Sequence, residues 1–224
     1  VLVLFTGYAV AMVQGTTWFY PEFPDLYSTI SNSHLLNHFS LQERFIAETM
    51  ERNSFRFFPL AHQDLHLLSL LTPYVKVWML VSAAELFTTI VLSWMVVRSM
   101  VQKNDGLLLI ISLLFLFHPA TGWGFFQLVY SERLLTFLFA GFIFFYWRFH
   151  KQGLNRDAYH CLICALIGIY VKDICVVLFV TPALFTLLSA PRGIQSSIKR
   201  FPLERWLIGL IPLVVVSYVV LSLI

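Results

Sequence analysis

The stretch Tyr74–Val97, YVKVWMLVSAAELFTTIVLSWMVV, decides the fold. It carries two charged residues, Lys76 and Glu85, in an otherwise apolar run. At about 1.5 Å per residue such a helix crosses a hydrocarbon core of roughly 30 Å. The rest of the chain has the same character. Of its 224 residues, 58% are hydrophobic, 17% aromatic and only 12% charged. A soluble domain has about 25% charged residues. Long apolar runs, rather than the alternation of a closed barrel, predict an all-α, polytopic transmembrane helical bundle.

Working outward gives about seven membrane segments in a single transmembrane domain over 1–224. They are 1–20, 74–97, 106–118, 127–147, 159–171, 174–190 and 206–224. The first ends in Trp18-Phe19-Tyr20-Pro21, an aromatic belt followed by a helix stop. At about 20 residues it is too long for a signal-peptide core, and no small-x-small cleavage site follows it. Both chain ends lie inside apolar runs, so the chain reads as the N-terminal part of a longer protein. The third and fifth segments are short. Twelve or thirteen residues cover only about 20 Å of the core, so polar groups at their ends are expected to face a water-filled cavity.

The block 21–73 is the one long stretch without membrane character. It holds Glu22, Asp25, Glu43, Glu48, Glu51 and Asp64, half of the twelve acids, and four of the seven histidines. Ser40-Leu41-Gln42-Glu43 is a capping box, and the helix it opens is amphipathic, as suits a membrane surface. Pro59 suits the first position of a second short helix, Pro59 to Leu71. The connectors after the second, fourth and sixth segments hold nine of the fifteen basic residues. The positive-inside rule therefore puts those connectors inside and the block on the periplasmic, luminal or extracellular side. The net charge of +3 forms no basic, aromatic-interleaved patch, so no nucleic-acid partner is expected.

Candidate chemistry sits at the outer ends of the segments. Glu22 and Asp25 follow the first segment, where a desolvated carboxylate can serve as a general base; the plain alternative is a solvated loop acid. Arg56, Lys76, Arg133 and Lys172 are the outward-side cations suited to a phosphate. Arg133 and Lys172 end apolar segments, where charge is costly unless paired or functional. Their neighbours Glu132 and Asp173 offer local neutralisation instead. Glu85, inside the second segment, is either functional or hydrogen-bonded to a neighbouring helix. His34/His38 and His62/His66 have zinc-like i,i+4 spacing, but Gln63 stands where a protease would need its glutamate, and interfacial histidines are the plainer reading. Cys161-Leu162-Ile163-Cys164 has redox spacing inside an apolar segment, where buried thiols are the ordinary case.

The order of these features resembles the C-type (GT-C) integral-membrane glycosyltransferases. One helix and a long outer loop with an early acid, Asp25 or Glu22, is that family's opening. Arg56-Phe57-Phe58-Pro59-Leu60 resembles its Arg-Pro-Leu element, with two extra phenylalanines. His118-Pro119 matches its His-Pro at the outer end of the third helix. Tyr130-Ser131-Glu132-Arg133 and Lys172-Asp173 resemble its charged motifs opening the fourth helix and joining the fifth and sixth.

The resemblance implies an inverting transfer of a sugar from a polyprenyl-phosphate donor to a hydroxyl of a glycan, lipid or protein acceptor, among membrane lipids. Asp25 or Glu22 would be the base. Arg133, Lys172, Arg56 and His118 would hold the lipid phosphate, with Glu132 and Asp173 supporting. Some members use a divalent metal and others do not; no metal ligands are assigned here. Two rival readings share these features: a transporter or flippase of a lipid-linked saccharide, and a non-catalytic membrane scaffold.

Overall fold

The computed structural model describes residues 2–15, 59–61, 63–101, 105–128, 130–189 and 202–222, and every regular element among them is a helix. The chain forms two compact units. One comprises Val1–Arg44 and Ala61–Phe137, the other Phe45–Leu60 and Leu138–Ile224.

The first unit holds α1 (Leu2–Gln14), α2 (Gln63–Leu71), α3 (Val75–Met100), α4 (Asp105–Phe117), α5 (Pro119–Phe126) and the beginning of α6 (Glu132–Gln152). No glycine or proline interrupts α3, which follows Pro73 and runs for 26 residues. Its Trp78, Met79, Ala83, Leu86 and Ile90 recur at helical spacing and are buried against Met12, Leu65, Leu116 and Phe125. Polar side chains inside this core are tied to backbone. Tyr8 Oη donates to the Leu116 carbonyl at 2.7 Å, and Ser82 Oγ donates to the Phe125 carbonyl at 2.6 Å.

Between α4 and α5 the chain bends by 62°. The cause is local. Pro119 occupies the first position of α5 and has no N–H to return to the Phe115 carbonyl. That carbonyl accepts instead from the His118 N–H at 3.3 Å and from Thr121 Oγ1 at 2.6 Å.

The second unit holds the rest of α6, α7 (Asn155–Val171), a 3-10 turn (Asp173–Cys175), α8 (Val176–Ser189), α9 (Leu203–Ile208) and α10 (Leu210–Ser222). α6 ends where Gly153 adopts φ 72° and its N–H reaches the Phe149 carbonyl at 2.8 Å. α7 and α8 approach closely at Gly168. A β-carbon there would lie 2.3 Å from Phe179 Cζ. Phe179 stands edge-on to Phe142, with ring centroids 5.1 Å apart. Tyr146 Oη meets Thr186 Oγ1 at 2.7 Å. At the end carrying the 148–157 connector, Arg148 faces the buried Asp157 at 3.4 Å.

The all-α expectation holds. Among the described residues, α3 is the one helix long and apolar enough to cross a membrane by itself. α4 and α5 make a second if counted as one broken span. Several boundaries differ from those expected. The stretch after His118, assigned to no segment, is the helix α5, because its proline and capping histidine start a new helix. α6 opens at Glu132 rather than 127. The segment expected over 206–224 is divided at Gly209 into α9 and α10. The short helix expected from Pro59 opens only at Gln63, after a turn. In that turn the Leu60 N–H donates to the Tyr170 carbonyl at 2.9 Å. The helix expected after Ser40 lies outside the described residues.

Candidate functional site

The first unit gathers three ionic side chains from three helices. Asp64 stands in the first turn of α2, Glu85 in the middle of α3, and Arg133 in the first turn of α6. Arg133 is 1% exposed. Its Nη2 donates to Asp64 Oδ2, and its Nη1 donates to Glu85 Oε2 at 2.5 Å. A cation in the first turn of a helix opposes the helix dipole, and burial adds to its cost. The planar guanidinium fork, held between two carboxylates, offsets both. Two acids against one base leave the group formally at −1.

Sequence reasoning offered Arg133 its neighbour Glu132. The structure gives it Asp64 and Glu85 instead. Glu132 is adjacent in sequence but lies on another side of α6, because successive residues of a helix point about 100° apart. Asp64 was counted only among the acids of the outer block. The available signal was Glu85 itself, since an acid in an apolar helix needs a cation from another segment.

A cavity of about 510 Å³ opens at the joint between α4 and α5. Its polar lining is His118, Thr121, Glu132 and Thr136, and Leu114, Phe115 and Phe125 give it apolar wall. His118 is the N-cap of α5. Its Nδ1 accepts from the Ala120 N–H at 3.1 Å, which leaves the ring proton on Nε2. Thr121 and Thr136 have donated their hydroxyl protons to backbone carbonyls, Phe115 at 2.6 Å and Glu132 at 2.7 Å.

The other expected site residues fall as follows. Lys172 is half-buried at the C-terminal cap of α7 in the second unit, and Asp173 begins the 3-10 turn after it. Lys76 is exposed in the first turn of α3. Glu22, Asp25, Arg56, His34, His38 and His62 lie outside the described residues. The structure thus brings His118 and Glu132 to one cavity and sets Arg133 in an ion cluster. Among the described residues, no group of three or more histidine, cysteine, aspartate or glutamate side chains has the arrangement of a metal site. Compared with known proteins, the chain matches no family model, no characterised protein and no solved structure.

Proposed function

We propose that the chain belongs to a membrane glycosyltransferase that moves a sugar from a polyprenyl-phosphate donor to a hydroxyl acceptor on the outer face. The observation that carries this reading is the cavity at the helix break. It joins an apolar wall to a carboxylate and an imidazole, inside a unit whose longest helix is apolar enough to span a bilayer. A ligand with an apolar tail and a polar reacting end needs such a place. The order of sequence motifs supports the same reading.

In this reaction Asp25 or Glu22 takes the proton of the acceptor hydroxyl. The oxygen attacks the anomeric carbon with inversion, and the polyprenyl phosphate leaves with the bonding electrons. A cation must stabilise its growing charge. Arg133, whose fork already holds two carboxylates, and Lys172 are the first candidates for that role, with Arg56 and His118 beside them.

The test uses the full-length protein, reconstituted in lipid with polyprenyl-phosphate sugars. Wild type transfers sugar, and Asp25→Asn, Glu22→Gln or their combination abolishes transfer. Unchanged transfer in the double variant would remove both residues as the base. No transfer from any donor by a folded wild type would remove the enzyme reading.

The bend between α4 and α5 favours one second reading, a transporter of a lipid-linked saccharide. Broken helices line substrate paths in many transporters, usually as a pair in corresponding halves of the chain. Movement of labelled lipid across the bilayer without sugar transfer would select it.

A further inference from the structure

We propose that the groove between α3 and α4 holds an acyl chain of an anionic glycerophospholipid, with the lipid's phosphate at Arg98. Such a site requires only that α3 spans a bilayer, and it stands apart from sugar transfer. Two features meet there, an apolar slot and a cation folded over its mouth.

The slot measures about 90 Å³. Ile90 of α3 and Leu108 of α4 are buried at its floor, and Trp94 and Ile111 are exposed at its rim. Ser112 also lines it, but its hydroxyl donates to the Leu108 carbonyl at 2.8 Å, so that proton is spent within α4. The lining runs from Ile90 to Val97 on α3 and from Leu108 to Phe115 on α4, roughly 10 Å along each helix. A slot this narrow suits an unbranched acyl chain better than a polyprenyl chain, which carries a methyl group on every isoprene unit.

Arg98 stands one turn beyond Trp94 and folds back over the indole, its guanidinium carbon 5.8 Å from the ring centre. The charge therefore sits at the Trp94 end of the slot, where the span gives way to the 98–105 connector. Its contact with Asp105 is long, 3.9 Å, and both side chains are more than half exposed. An exposed pair at that distance is weak, and a guanidinium fork can hold a phosphate with two hydrogen bonds. The pairing of a ring with a basic residue four positions on recurs at the C-terminal end of α6 in the other unit. There Lys151 lies 5.0 Å from the Trp147 ring centre and Arg148 5.5 Å from that of Phe144. Helices present such pairs where they leave a bilayer, with the ring at headgroup level and the charge reaching for phosphates. At Arg98 the pair stands above a slot for the tail. The positive-inside count puts this end on the side whose leaflet carries the anionic lipids, opposite the face proposed for the sugar donor.

Trp94 itself supplies the probe. The full-length protein is placed in nanodiscs containing phosphatidylglycerol or phosphatidylcholine, each with dibrominated acyl chains and at equal mole fraction. Bromine quenches indole fluorescence on contact. The quenching of Trp94 is the difference between each protein and its Trp94→Phe counterpart. Unbrominated phosphatidylglycerol and undecaprenyl phosphate serve as competitors.

The expected result is an about fivefold preference for phosphatidylglycerol at Trp94, as one basic group at a membrane surface supplies. Arg98→Gln abolishes that preference, Arg98→Lys keeps most of it, and added salt weakens it. Ser112→Phe puts a ring into the slot and lowers quenching by both lipids. Undecaprenyl phosphate leaves the quenching unchanged, whereas unbrominated phosphatidylglycerol relieves it. Equal quenching by the two lipids, an undiminished preference in Arg98→Gln, or Ser112→Phe quenched like wild type overturns the proposal. Relief by undecaprenyl phosphate as strong as by phosphatidylglycerol also overturns it, and gives the slot to a polyprenyl lipid. Should Ser112→Phe fail to fold, the exposed Arg98 variants and the competitors still decide. None of these readouts involves sugar transfer, so the lipid site and the enzyme reading fail separately.

Discussion

Arg133 and Glu85 are paired across 48 residues of sequence, Nη1 to Oε2 at 2.5 Å, although Glu132 precedes Arg133 in the chain. With Asp64 on the second arm, the pairing joins α2, α3 and α6. Removing the cation is expected to be the most damaging single change in the group, since Arg133→Gln strands two adjacent half-buried acids. Breaking a fully buried pair costs about 3–5 kcal/mol, and the partial exposure of the two acids places this change towards the lower end. Glu85→Gln costs less, because Arg133 and Asp64 remain a neutral pair. Arg133→Lys recovers only part of the loss, since an ammonium lacks the fork that spans two carboxylates. Unfolding free energies in detergent check the order, and an Arg133→Gln variant no weaker than Glu85→Gln would contradict it.

Gly168 and Phe179 set the approach of α7 and α8 in the second unit. The space for a methyl at Gly168 is filled by the Phe179 ring, not by backbone. Gly168→Ala is therefore expected to destabilise by about 1–3 kcal/mol, as overpacking does. Phe179→Leu alone also destabilises, through lost ring contacts. Combined with Gly168→Ala, it is expected to cost less than the sum of the two single changes, because it vacates the space the methyl needs. Strict additivity in a double-mutant cycle would show that the two residues do not press on each other.

Much of this architecture was legible in the chain. Uninterrupted apolar length placed α3 at 74–97, where the helix is Val75–Met100, and His118-Pro119 marked the end of α4, because proline removes a donor that the preceding turn needs. What followed was not legible: a helix begins again at Pro119, and whether the chain turns or restarts depends on a cap geometry that spacing does not encode. The ion cluster was half visible. Glu85 stood out as an acid inside an apolar helix, read as functional or as hydrogen-bonded to a neighbouring helix, but periodicity within one helix says nothing about which helix lies beside it or that its partner is an arginine. Local reading gave Arg133 its sequence neighbour; packing gave it partners 69 and 48 residues away. The family resemblance made His118 a phosphate ligand through its His-Pro motif, and the structure finds its Nδ1 accepting from a backbone amide.

That capping role has a measurable consequence. Asparagine caps helices as well as most residues do, whereas alanine does not, at about 1 kcal/mol. His118→Asn is expected to keep the stability of wild type, and His118→Ala to lose about 1 kcal/mol. Thermal unfolding of the two variants side by side checks this. Equal losses would mean that the ring, rather than the cap, matters at this position.

The last consequence concerns the carbonyls left behind by the same break. In a continuous helix the Leu116 carbonyl would receive the Ala120 N–H, but that N–H goes to His118 Nδ1. Tyr8 of α1 supplies the substitute, its hydroxyl 2.7 Å from the Leu116 oxygen. Its ring is also packed edge-on against Phe126, with centroids 5.6 Å apart. Tyr8→Phe keeps the ring and deletes only the donor. It leaves a carbonyl of a nearly fully buried residue unsatisfied, at an expected cost of about 1–3 kcal/mol. Tyr8→Leu keeps apolar bulk but loses both the donor and the ring contacts, so it is expected to cost more. Because the broken helix creates the need, the α4–α5 segment should respond first. Hydrogen exchange at 113–122 is expected to quicken in Tyr8→Phe, while α7 and α8 keep their rates. Unchanged exchange at 113–122 would show that the tyrosine hydroxyl does not hold the break.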